Sequence, residues 1–260
     1  MIRDTIDILR RYRSHFRNWI SVVYHTHRGD SMIDIILRSG YRDRVSFDYV
    51  VNIARYNGYI KIETLLDMLK NNKIPYRDKI INLKGVPENG DPFSVFIYET
   101  YKFLSVEGEE VIDIGANIGD SAIYFAINGA KRVVALEPYE PFFDLLLENV
   151  EMNGLSDKIV PLKIGYGEDG EHKYNLYELM RRFGFEECVL KMDCEGCEYG
   201  LIGEDDSTIR KFKRIEIEYH KGIQHLANKL ERNGFYVKIG EGGKDGKLGI
   251  IFASKEKIPT

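Results

Sequence analysis

Three apolar runs of this chain end in polar residues that could hold a ligand or move a proton. The first belongs to Val-Ile-Asp-Ile-Gly-Ala-Asn-Ile-Gly-Asp at 111–120, the second ends at Glu137, and the third ends at Asp193. Because the carboxyl ends of parallel strands meet at one edge of a sheet, ligands of such sheets bind there. The spacing therefore predicts one binding edge built by all three runs.

The glycine-bearing turn at 115–119 indicates which ligand is bound. A dinucleotide fingerprint needs glycines where this sequence has Asn117 and Asp120. An aspartate at the start of the following helix would repel a phosphate. S-adenosylmethionine has no phosphate, and its sulfonium and ammonium suit the carboxylates of Asp113 and Asp120, so it is the predicted cofactor.

The predicted cofactor site draws on both βα turns and on the third run. Glu137 ends the second strand and can accept hydrogen bonds from both ribose hydroxyls. The full predicted set is Asp113, Gly115, Asn117, Gly119, Glu137, Pro138 and Asp193.

The segment Val-Leu-Lys-Met-Asp-Cys-Glu-Gly-Cys-Glu at 189–198 is the second constellation. Its strand ends at Asp193, which is expected beside the transferable methyl. Clustered carboxylates there can stabilise a sulfonium, orient an acceptor hydroxyl or accept its proton. Glu198 fits this role and that of a helix cap equally well. Cys194 and Cys197 are interpreted as small buried thiols, because neighbouring acids would blunt a redox pair.

Ile-Glu-Ile-Glu-Tyr-His at 215–220 ends another strand at the same edge. Alternation sends Glu216, Glu218 and His220 to one face. His220 is the predicted general base, since imidazole titrates near neutral pH. It could instead pair structurally with an acid, or join Asp193 and Glu218 in holding a divalent metal. The prediction includes no metal, and its catalytic residues are Asp193, His220, Glu195 and Glu218.

Together these segments resemble the FkbM-like S-adenosylmethionine-dependent methyltransferases. The resemblance rests on residues 111–120, 135–138, 191–198 and 218–220 and covers roughly residues 93–237. It implies a class I methyltransferase fold and transfer mainly to hydroxyl oxygens of sugars, polyketides or other secondary metabolites. One departure is Ile-Gly-Tyr-Gly at 164–167, where that family more often has a small residue and an acid near the adenine.

The elements that must position these residues alternate between strand and helix from about Val111 onward, which predicts βαβ units. The predicted fold is an α/β, Rossmann-like, seven-stranded, mostly parallel sheet with an antiparallel last strand. Predicted strands are 110–114, 132–137, 159–163, 188–192, 214–219, 235–239 and 247–253. Predicted helices are 120–128, 141–153, 176–183, 199–203 with 207–211, and 223–233, and a plain turn is expected at 240–249.

Residues 1–92 are predicted to form a mainly helical extension with one or two strands, and residues 93–260 the methyltransferase domain. An amphipathic helix is predicted over 4–25, with a basic face of Arg3, Arg10, Arg11, Arg13 and Arg17. That face is either solvated or a contact, within residues 3–28, for a membrane or a lipid-linked acceptor. A strand at 32–37, a helix near 61–71, an extended piece at 79–86 and a turn cluster at 87–92 follow. Residues 93–103 then lead into the first sheet strand.

Composition limits the remaining function classes. The formal net charge of −4 gives no drive toward nucleic acid, and residues 186–206 hold eight acids against Lys191 alone. No apolar run reaches the ~20 residues of a membrane helix, and no signal core opens the chain, so the cytoplasm is expected. The predicted acceptor is a small molecule or glycan. An RNA methyltransferase gripping its substrate through the basic N-terminal region, or a non-catalytic cofactor-binding protein, remains an alternative.

Overall fold

The computed structural model describes residues 2–47, 49–51, 66, 68, 70–85, 91–167, 173–240 and 246–258. Contacts divide the chain into two compact units. Residues 1–82 and 86–97 form the first, and residues 83–85 and 98–260 form the second. The sequence predicted a domain boundary between residues 92 and 93. That position lies within residues 86–97, the last segment of the first unit.

In its described part, the first unit holds three helices with defined ends, further helical residues at 47, 49–51, 66, 68, 70 and 71, and two antiparallel hairpins. The helices are α1 (Ile2–His15), α2 (Trp19–Arg28) and α3 (Asp91–Ile97). The hairpins pair β1 (Met32–Ile36) with β2 (Arg42–Ser46), and β3 (Lys73–Tyr76) with β4 (Lys79–Asn82). The described part of this unit therefore has four short strands, whereas the sequence predicted one or two for residues 1–92.

The single helix predicted over 4–25 is wrong, because the helix is interrupted at residues 16–18. Phe16 forms a bridge with Leu37, and the Arg17 N–H donates to the Ile36 carbonyl at 2.6 Å. The side-chain amide of Asn18 forms two hydrogen bonds with the backbone of β1. Its Nδ2 donates to the Asp34 carbonyl, and its Oδ1 accepts from the Ile36 N–H. The strand edge thus supplies hydrogen bonds that would otherwise continue the helix.

Two other predictions for this region fall partly outside the described residues. Within the predicted helix at 61–71, residues 66, 68, 70 and 71 are helical, and 61–65, 67 and 69 lie outside. Residues 87–90 of the predicted turn cluster also lie outside, and α3 begins at Asp91. The residues leading into the first sheet strand are the helix α3 and a 3₁₀ helix at Lys102–Leu104.

The second unit is built around one seven-stranded sheet. Its strands are β5 (Glu110–Ile114), β6 (Arg132–Leu136), β7 (Ile159–Leu162), β10 (Cys188–Met192), β11 (Phe212–Tyr219), β12 (Tyr236–Ile239) and β13 (Gly249–Ser254). The short strands β8 (Gly165–Tyr166) and β9 (Lys173–Tyr174) pair beside it. Its helices are α4 (Asp120–Ile127), α5 (Glu140–Met152), α6 (Leu176–Phe183), α7 (Asp206–Ile209) and α8 (Gln224–Arg232), with a 3₁₀ helix at Cys197–Ile202.

The strand order of this sheet is β12-β13-β11-β10-β5-β6-β7, and only β13 runs antiparallel to its neighbours. This arrangement confirms the fold predicted from sequence, the Rossmann-like sheet of class I methyltransferases. All five residues of β10 are buried, as are four of five in β5 and in β6. Continuous apolar strands of this kind belong to parallel sheets covered on both faces.

Local sequence explains where several elements of the second unit begin and end. Asn175 and Glu178 form a reciprocal capping box at the start of α6, and Gly184 ends that helix in a left-handed conformation. Of the predicted turn at 240–249, residues 241–245 lie outside the described part. Among the residues that the structure describes, no helix is both long enough and apolar enough to cross a bilayer.

Candidate functional site

The turn between β5 and α4 brings backbone from three strands into close contact. Gly115 and Gly119 have φ values of +76° and +93°, and Asn117 between them has +47°. A Cβ on Gly115 would lie 1.8 Å from the carbonyl oxygen of Asp193, so no larger residue fits. The N–H groups of Gly115 and Ala116 both donate to Leu136 O, which fixes the turn against the end of β6.

Glu137 follows β6 and joins this turn to the next one. Its Oε2 accepts from the Asn117 N–H at 3.0 Å, and its Oε1 accepts from the Tyr139 N–H at 2.8 Å. Burial raises the pKa of the carboxyl, against the two backbone bonds that lower it. A carboxylate has about four acceptor positions. Two therefore remain for hydroxyl donors, while the neighbouring Pro138 is exposed.

Asp113 braces the turn from inside the protein. The side chain is fully buried, and its Oδ2 accepts from the Ser121 hydroxyl at 2.6 Å. Lys191 lies 3.1 Å from Oδ1 and also donates to the Gly115 carbonyl at 2.7 Å. Burial lowers the pKa of Lys191, but the charges of Asp113, Asp193 and Asp120 outweigh it and the pKa is raised. The charged lysine thus holds both the aspartate and the turn, a role that the sequence analysis missed.

Asp193 directly follows β10, and its N–H donates to Ile114 O at 3.1 Å. The chain then turns sharply through Glu195 and Gly196, whose φ values are +56° and +121°. The side chain of Asp193 is half-buried, whereas that of Glu195 is 86% exposed. Asp193 and Glu195, two of the three predicted catalytic carboxylates, therefore lie at the carboxyl edge of the sheet, the first half-buried and the second exposed.

The interpretation of Cys194 and Cys197 as separate buried thiols is wrong, because the structure joins them in a disulfide across this turn. The left-handed residues Glu195 and Gly196 reverse the chain and bring the two side chains together. Cys188 is free and buried, and burial raises the pKa of its thiol.

Glu198 stabilises the turn at 193–198 from the interior of the protein. It is fully buried, and its Oε2 accepts from the Gly196 N–H at 2.8 Å. Its Oε1 accepts from the backbone N–H of His220 at 3.0 Å and lies 3.1 Å from Nδ1 of the same residue. Of the two roles left open by the sequence, these contacts favour the structural one.

His220 is held between two acids at the end of β11. Its Nδ1 faces Glu198, and its Nε2 lies 3.3 Å from Glu195 Oε2. Burial lowers the pKa of the imidazole, but the bond to Glu198 and the charges of Glu198, Glu195 and Glu218 outweigh it, so the pKa is raised. The structural pairing that the sequence left open is therefore present on the Nδ1 side.

A small recess at this edge brings the predicted catalytic groups near residues that the sequence analysis did not single out. Asp193 and Glu218 line it with Tyr101 and the buried Glu216. Burial raises the pKa of Glu216 to about 8. Glu216 could have been predicted as part of the site, because it lies two residues before Glu218 on the same face of the strand. No feature of the neighbouring sequence indicated that Tyr101 would line the recess.

Comparisons with known proteins place the chain in a family. It belongs to the family of protein 158B, an uncharacterized protein of Sulfolobus islandicus rod-shaped virus 1. The two are 32% identical over 133 residues, which is 51% of this chain and 73% of the viral protein. No protein-family model matches the chain.

The chain is also similar to one methyltransferase sequence over a short segment and to solved structures at low identity. A ribosomal protein L11 methyltransferase of Syntrophomonas wolfei is 45% identical over 58 residues, covering 22% of this chain and 19% of that protein. Among solved structures, ribosomal protein L11 methylase from Lactobacillus delbrueckii subsp. bulgaricus has a TM-score of 0.46 at 20% identity, over 68% of this chain and 86% of that one. M. jannaschii TYW2 in complex with AdoMet has a TM-score of 0.43 at 17% identity, over 71% and 85%.

Proposed function

We propose that the second unit binds S-adenosylmethionine and transfers its methyl group to a hydroxyl oxygen of a saccharide or other small molecule. The observation that carries the proposal is the buried carboxylate of Glu137. Each of its two oxygens accepts one backbone N–H, one from the turn after β5 and one from the turn after β6. The remaining acceptor positions of the carboxylate suit the two hydroxyls of a ribose. The fold and the resemblance to FkbM-like methyltransferases support the same assignment.

The residues present fit this cofactor better than a dinucleotide. Asp120 stands in the first turn of α4 and is 8% exposed, so a carboxylate occupies the helix N-terminus where a pyrophosphate would bind. The buried Asp113 adds a second negative charge behind the turn, and Lys191 balances one of the two charges. When bound, S-adenosylmethionine supplies an electrophilic methyl on a cationic sulfur, which this negative edge stabilises.

The chain's own residues would position the acceptor and take its proton. Methyl transfer by direct displacement needs the two reacting atoms aligned and shielded from water. Asp193 lies directly behind Gly115, so we assign it to the methyl side of the recess. His220, with Glu218 and Glu195 near it, is assigned to the acceptor side, where Nε2 would accept the hydroxyl proton.

The experiment is methyl transfer from S-adenosylmethionine carrying a labelled methyl group, with a cell extract fractionated into small molecules, glycans, RNA and protein. We expect label in the small-molecule or glycan fraction as an alkali-stable ether. Label in RNA would support the RNA methyltransferase instead. Cofactor binding without label in any fraction would contradict turnover and favour a binding protein.

A further inference from the structure

Three side chains of metal-ligand type converge at the carboxyl ends of β10 and β11. One ligand atom from each of Asp193, Glu218 and His220 lies within 4.8 Å of the others. All three are half-buried, and they come from paired strands whose register is fixed by the sheet. Two carboxylates and an imidazole suit a divalent first-row metal ion such as Mn²⁺.

His220 is oriented as metal-binding histidines usually are. Such residues donate their other ring N–H to a carboxylate, which fixes the tautomer and leaves the second nitrogen to bind the ion. Here the fully buried Glu198 lies 3.1 Å from Nδ1 and also accepts from the backbone N–H of the same residue. The other ring nitrogen, Nε2, faces the exposed side chain of Glu195. Glu195 can move away from Nε2 when the ion binds, or it can supply a fourth ligand.

An independent observation points to a cation in the same place. Glu216 is 2% exposed, and its Oε2 accepts no hydrogen bond from the residues that the structure describes. It lines the recess together with Asp193 and Glu218. A buried carboxylate oxygen without a partner is costly unless a ligand supplies the missing interaction. The ammonium of Lys191 also borders the recess, but it is engaged by Asp113 and the Gly115 carbonyl.

We propose that Asp193, Glu218 and His220 bind a divalent metal ion, with Glu198 positioning His220 and Glu216 lining the recess beside them. Three protein ligands leave coordination positions open toward the recess. If the proposed methyl transfer holds, an acceptor hydroxyl bound at such a position would be acidified by the ion. Its proton would then pass to solvent or to Glu195, because Nε2 of His220 can act as the base assigned above only when no ion is bound to it.

Titration of the whole chain with Mn²⁺ alone, with free ion followed by electron paramagnetic resonance, tests the site without any methyl transfer. We expect one ion per chain, with binding weakened about tenfold or more by Glu218→Gln and by His220→Ala. Glu187→Gln is the matched control. It removes an exposed carboxylate just before β10, at the opposite end of the sheet, and should leave the affinity unchanged. Circular dichroism establishes that each variant is folded.

Absence of stoichiometric Mn²⁺ binding by the wild-type chain would overturn the metal site. Equal affinities for the wild-type and Glu218→Gln chains would do the same, and Asp193→Asn gives a second reading if one variant fails to fold. A parallel titration with S-adenosylmethionine separates the two proposals. Cofactor binding without Mn²⁺ binding would contradict only the proposed metal site. Mn²⁺ binding without cofactor binding would contradict the proposed methyltransferase activity.

Discussion

At the scale of single residues, the site depends on how closely backbone segments approach each other at Gly115. This residue needs both a positive φ and the absence of a Cβ, since a Cβ would overlap the Asp193 carbonyl oxygen. The same contact sets the distance between the turn after β5 and the acidic turn after β10. A change at one glycine should therefore disturb the cofactor and acceptor sides together.

Gly115→Ala should destabilise the protein more than Gly108→Ala does. Gly108 has a similar φ of +73°, but a Cβ there would meet nothing within 4 Å. The left-handed conformation costs alanine about 1–2 kcal/mol at either position. The overlap should add roughly 1–3 kcal/mol at Gly115 alone. Denaturant unfolding measures both free energies, and equal losses would contradict the close approach.

At the scale of elements, the acidic turn at 193–198 is closed by the disulfide between Cys194 and Cys197. Unfolded protein without reductant should show one reactive thiol, that of Cys188, and reduced protein should show three. Cys194→Ser should show two thiols with or without reductant. Closing so short a loop contributes at most about 2 kcal/mol, so reduction should lower the free energy of unfolding modestly. Three thiols in the unreduced protein would contradict the bridge.

The helices α7 and α8 are joined by an ion pair whose strength depends on pH. Asp206 Oδ1 lies 2.8 Å from Lys229 Nζ and accepts from Asn233 at 2.9 Å. The bond from Lys229 and that from Asn233 lower the pKa of Asp206 from 3.8 to about 2. Because the folded pKa is the lower one, this stabilisation is present above about pH 4 and is lost as the pH falls toward 2.

Asp206→Asn should therefore lower the melting temperature at pH 7, and the difference from wild type should shrink between about pH 4 and pH 2. The neighbouring Asp205 makes no capping bond through its side chain, so Asp205→Asn is the control. Calorimetric melting across this pH range gives the comparison. A difference that is constant with pH would show that Asp206 acts without its charge.

Element by element, the sequence predicted best where the pattern was local. Continuous apolar runs bounded by turns predicted β5 and β10 with the observed ends, and the predicted ends of α6 are also those observed. Contacts between distant segments were missed. The pairing of residues 16–18 with β1 and the ion pair of Lys191 with Asp113 depend on the folded chain bringing those groups together. The disulfide joins residues only three apart and depends on the left-handed turn at Glu195 and Gly196. Spacing alone carries no such information.

At the scale of the whole molecule, the sheet of the second unit gathers residues from sequence positions 113 to 220 at one edge. The order β11-β10-β5-β6 sets the ends of four parallel strands side by side. Glu137 belongs to the proposed cofactor side, Glu218 and His220 belong to the acceptor side, and Asp193 is assigned to the methyl between them. Predicted contacts of residues 3–28 with a membrane or a lipid-linked acceptor, and the cytoplasmic location, stay predictions.

Calorimetric titration with S-adenosylmethionine tests the central claim most directly. We expect micromolar binding by the wild-type chain and a loss of about tenfold or more in Glu137→Ala, which corresponds to about 1.4 kcal/mol. Glu140→Ala is the control, because that exposed carboxylate lies three residues away and forms an ion pair with Lys163. No measurable binding by the folded wild-type chain, or equal binding by the Glu137→Ala variant, would contradict the assignment of this edge to the cofactor.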